Sequence, residues 1–124
     1  KGEIESLRGY LGSAISARAE WLKKNTPATI KFIKGLQMSL DGMHDPARTN
    51  QLRDAVHKSH YAQTDPSFFA EVWSDLSVGA PKTPELTDKM IQTLVDFNNR
   101  FAKDKIEMSK VTGAYTNEYV EKAR

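Results

Sequence analysis

A chain of 124 residues, 39% of them apolar and 27% charged, has the means to bury a core and lacks the composition of a disordered segment. Its formal charge of +2 is spread as 10 basic against 6 acidic residues over positions 1–62 and 8 against 10 thereafter, which is no basic stripe of the kind nucleic acid demands. The absence of cysteine excludes disulfide frameworks, thiolate zinc sites and cysteine nucleophiles, and no apolar run approaches the roughly 20 residues of a membrane helix.

In chain order, residues 11–17 come first as an element. They are small and apolar, without helical periodicity, and read as a short buried strand, with Tyr10 beside it. Residues 18–25 predict a short helix with Trp21 and Leu22 turned inward. The next signal is a repeated dipeptide: Thr26-Pro27, Asp45-Pro46, Asp65-Pro66 and Thr83-Pro84 each place a capping residue before a proline. A Thr or Asp oxygen accepts from a backbone N–H that the first helical turn leaves unpaired, and proline at the next position has no N–H to lose. Four such starts predict four helices.

The apolar spacing behind the starts agrees with helices. Ile30, Ile33, Leu36, Leu40 and Met43 follow the first. Leu52 and Val56 make a weaker stripe after the second. Phe68, Phe69, Val72, Trp73 and Leu76 make a strong one after the third, which Gly79 and Pro81 terminate. Leu86, Met90, Ile91, Leu94, Val95 and Phe101 follow the fourth. Thr112-Gly113 predicts a turn, and Thr116 caps a last short helix running to Ala123. The sequence thus predicts a mainly α chain of five to six helices with one or two short strands, a strand region at 1–17 and a helical region at 18–124.

Candidate chemistry is sparse. His57 and His60 stand three apart on one helix, a spacing that can bring two imidazoles to one metal ion, but no HExxH pattern or third ligand at a signature spacing accompanies them. They read as partly exposed helix histidines, with Asp54 one turn before His57 as a hydrogen-bond partner. There is no Walker loop, no G-x-G-x-x-G and no G-x-S-x-G elbow. Phe68, Phe69 and Trp73 read as core. Lys23, Lys24, Lys31 and Lys34 read as a solvated helix face. Nothing among these residues raises the expectation of catalysis, and the chain is expected to be no enzyme, with no cofactor and no metal.

The order of segments carries a resemblance. A small-residue strand runs into Ala19-Glu-Trp-Leu-Lys-Lys-Asn25, and a helix with Ile30, Phe32, Ile33 and Leu36 follows. Then come Thr83-Pro-Glu-Leu-Thr-Asp-Lys-Met-Ile-Gln-Thr-Leu-Val-Asp-Phe97 and Tyr115-Thr-Asn-Glu-Tyr-Val-Glu-Lys-Ala123. This succession over residues 10–123 resembles the C-terminal part of the nitrate, sulfonate, taurine and thiamine-precursor class of periplasmic substrate-binding proteins. It departs from that class where Thr26 separates Asn25 from Pro27, and where Asn98-Asn99-Arg100 replaces a glycine.

The resemblance implies a two-lobed α/β fold of the periplasmic-binding-protein type II kind, of which about the last two fifths is present. It implies export to the periplasm or cell exterior, a small-molecule ligand and an ABC permease as partner. Tyr10 and Ser13, around the strand crossing between the lobes, become the candidate ligand-binding residues, and residues 115–123 would pack back on the first lobe. Helices made to cover an absent sheet would expose apolar faces, so a chain of these residues alone is expected to form oligomers or swap domains. The competing expectation is a self-contained helical bundle acting as a protein-interaction module.

Overall fold

The computed structural model describes residues 11–124. Among them the chain is mainly helical, with no strand. The helices are α1 (Ala19–Lys24), α2 (Thr26–His44), α3 (Thr49–His60), α4 (Pro66–Gly79), α5 (Asp88–Phe101), α6 (Met108–Val111) and α7 (Glu118–Glu121). They fall into two compact units. One is Phe32–Pro84; the other combines the described residues through Lys31 with Glu85–Arg124.

The strand expected at 11–17 does not form. Residues 11–18 have no regular structure and are exposed except for the half-buried Leu11; Ile15 retains 65% of its surface. A strand needs a neighbour to pair its N–H and C=O groups, and Gly12, Ser13 and Ala14 have little strand preference with which to hold an extended shape alone.

The four proline-marked starts fare differently. Asp65 caps α4 as expected: its Oδ1 accepts from the Ser67 N–H at 3.0 Å and the Phe68 N–H at 2.9 Å, with Pro66 in the first turn. Asp45 accepts from the Ala47 N–H at 2.8 Å and from the Arg48 guanidinium at 2.6 Å, but this builds a single turn, and α3 begins only at Thr49. Thr26 begins α2, yet its hydroxyl donates backwards to the Leu22 and Lys23 carbonyls at 3.1 and 3.2 Å instead of capping its own helix. The start expected at Thr83 lies four residues later. There Thr87 accepts from the Met90 N–H at 3.2 Å and α5 follows with Asp88, whose negative charge suits the positive end of a helix.

In the unit Phe32–Pro84, α3 and α4 pack through an aromatic cluster. Phe69 and Trp73, one turn apart on α4, are each 7% exposed. The Phe69 ring lies 6.3 Å from Trp73, 5.0 Å from His57 and 5.2 Å from Tyr61, within the range of favourable ring pairs. The Trp73 indole N–H donates to the Thr49 hydroxyl at 2.9 Å, which satisfies its one polar atom. Gly42 of α2 is buried where an added Cβ would stand 3.2 Å from Leu52 Cδ2 of α3, so a small residue permits that approach. The Gln37 amide donates to the Lys82 carbonyl at 3.0 Å, and His44 Nε2 lies 3.2 Å from the Pro81 carbonyl, fixing the chain beyond α4.

The periodicity assigned Phe68 to the core together with Phe69. Phe68 is 59% exposed, because adjacent helical residues point about 100° apart and the cluster takes Phe69 and Trp73. Trp21, expected inward on α1, is likewise 51% exposed, while Leu22 is half-buried.

The other unit is aliphatic. Among its described residues Ile91 and Val95, one turn apart on α5, and Val120 of α7 are the buried apolar ones, at 4%, 5% and 7% exposure, and Thr29 of α2 is buried with its hydroxyl donating to the Asn25 carbonyl at 3.1 Å. Burying apolar side chains of this kind contributes roughly 1.5–3 kcal/mol each. Beyond α5 the Asn99 amide closes a ring with one backbone residue. It accepts from the Ile106 N–H at 2.7 Å and donates to the Ile106 carbonyl at 2.8 Å, while Lys105 donates to the Asn99 and Ala102 carbonyls at the helix end. No described helix is long and apolar enough to cross a membrane.

Candidate functional site

Of the two candidate ligand-binding residues, Tyr10 lies outside the described residues. Ser13 lies in the irregular segment preceding α1 and is exposed.

The structure gives His57 and His60 separate surroundings. His57 Nε2 lies 2.8 Å from the Thr64 carbonyl oxygen, which can only accept, so that nitrogen carries a proton and donates. The imidazole also packs on Phe69. His60 is exposed at the end of α3, and Asp54 pairs with Arg53 at 2.8 Å rather than with His57. Among the described residues no group of three or more His, Cys, Asp and Glu is arranged to hold a metal ion.

The polar geometry concentrates instead in the unit containing α5, α6 and α7. Residues 115–124 are clasped to the segment that leads into α5. The Asn117 side-chain amide pairs with the backbone of Leu86 in both directions: its Oδ1 accepts from the Leu86 N–H at 3.0 Å and its Nδ2 donates to the Leu86 carbonyl at 2.7 Å. The Tyr115 hydroxyl donates to the Asp88 carboxylate. That bond holds the phenol proton, so its pKa lies above 10.0. At the end of the chain Arg124 forms an ion pair with Glu85 at 2.8 Å. Thr116 accepts from the Glu118 N–H at 3.1 Å, but the N-cap position expected for it belongs to Asn117, and α7 ends at Glu121 instead of Ala123. Three residues of the stretch 83–97 (Glu85, Leu86 and Asp88) thus meet three of the stretch 115–124 (Arg124, Asn117 and Tyr115), at sequence separations of 27 to 39.

Beside the Tyr115–Asp88 pair an open cleft of about 420 Å³ is lined by Asp88, Lys89 and Gln92 of α5, Met108 of α6, Thr112 and Tyr115. Its lining offers one ammonium group, a carboxylate already engaged by a phenol, an amide that donates to Asp96 at 2.7 Å, and a hydroxyl that donates to the Met108 carbonyl at 3.1 Å. Four of the six lining residues are exposed, so the cleft gives an ionic ligand little desolvation to strengthen its contacts.

Sequence reading singled out neither the cleft nor Asn117. The Asn99 and Asn117 amides act over separations of 7 and 31 residues, and no local pattern marks an asparagine for such a role. Comparisons with family models, with curated proteins and with solved structures find no significant match.

Proposed function

We propose that the chain is the helical C-terminal portion of an exported, two-lobed solute-binding protein. In this reading it captures a small anionic or heterocyclic ligand and delivers it to the permease of an ABC importer, without catalysing a reaction. The observation that carries the reading is the clasp. The Thr83-Pro-Glu-Leu and Tyr115-Thr-Asn-Glu segments, on which the resemblance rests, are tied together by the paired hydrogen bonds of Asn117 to Leu86 and by Tyr115 to Asp88. A fold that uses both segments has a physical reason to carry them in that order.

A further feature supports the reading: apolar side chains on α4 and α5 stay exposed, Phe68 at 59%, Leu76 at 55% and Phe101 at 74%. Such surface suits elements that cover, or are covered by, another part of a larger molecule. It suits a protein-interaction module equally, and the self-contained aromatic cluster of Phe32–Pro84 favours that second reading for this unit. Tyr10 and Ser13 stay the proposed ligand contacts of the binding-protein reading.

A thermal-shift screen of the full-length protein against alkanesulfonates, nitrate and substituted pyrimidines tests the proposal. A ligand at 100 times its dissociation constant stabilises the folded state by about 2.7 kcal/mol, so one class should raise the melting temperature by several degrees in a saturable way. A well-folded protein whose melting temperature is unmoved by all three classes would leave the interaction-module reading in its place.

A further inference from the structure

We draw no further inference here: the strongest candidate, the exposed stripe of Phe68, Leu76 and Val78 along α4 in the Phe32–Pro84 unit, is an unpartnered apolar face, and nothing in the structure shows what covers it.

Discussion

The unit Phe32–Pro84 and the unit that ends at Arg124 hold themselves together by different means. The first buries aromatic rings against one another, with Phe69 in contact with Trp73, His57 and Tyr61. The second has a small aliphatic core of Ile91, Val95 and Val120, and fastens its irregular segments with asparagine amides that pair with backbone at Leu86 and Ile106. Ring packing is spread over many weak contacts and tolerates small displacements. A two-way amide–backbone pair depends on two directional bonds and fails with either. Substitutions should therefore act through lost volume in the first unit and through lost polar pairing in the second.

The largest expected effect is that of Trp73→Ala. It removes a buried indole and leaves the Thr49 hydroxyl without its donor, and should cost about 3–5 kcal/mol in a urea unfolding titration. Trp73→Phe should recover most of the loss; equal damage from both variants would mean that the hydrogen bond, and not ring packing, holds this unit. Asn117→Ala comes next. It strands the part-buried Leu86 N–H and carbonyl together, at roughly 1–3 kcal/mol, and hydrogen exchange at the Leu86 amide should quicken while Trp73 fluorescence stays unchanged.

Acid should act on the first unit through the α4 cap. The N–H of Phe68, first, and the Ser67 side chain, second, hold the Asp65 carboxyl below its usual 3.8. A depressed folded-state pKa contributes stability above pH 3.8 that is lost as pH falls through the lower folded value. Asp65→Asn should flatten that acid limb; an unchanged limb would show that the α4 cap plays no part in it. The smallest effect belongs to Gly42→Ala. Alanine favours a helix interior by up to about 1 kcal/mol over glycine, while Leu52 must yield a few tenths of an ångström. Because Leu52 is half-buried and its contact is a side-chain end, the net change should be stabilising by less than about 1 kcal/mol, read as a small rise in melting temperature.

What the sequence made legible follows the same division. The helices α2 and α4 and the burial of Phe69 and Trp73 follow from periodicity and from an Asp-Pro start, both of which act within one or two turns. Thr83-Pro84 misled because it has the same local chemistry as Asp65-Pro66, while the operative cap, Thr87, lacks the proline and hides inside the expected helix. The strand at 11–17 failed because pairing, which local sequence cannot supply, decides whether extended backbone is stable. Helix α6, at four residues, is too short to show a period, whereas α7 lies inside the short helix expected after Thr116 and is shorter than expected. As for the candidate site, Ser13 lies in irregular backbone, and the Asn117 clasp was out of reach because its partner stands 31 residues away.

In the binding-protein proposal, the exposed apolar side chains of these helices are covered by another part of a larger molecule. Light scattering on the 124-residue chain, across a range of concentrations, tests it most directly. Uncovered side chains such as Phe68, Leu76 and Val78 predict association, so the measured mass should rise above that of one chain as concentration increases. A stable monomer at every concentration, with cooperative unfolding, would contradict the claim and favour a self-sufficient helical module.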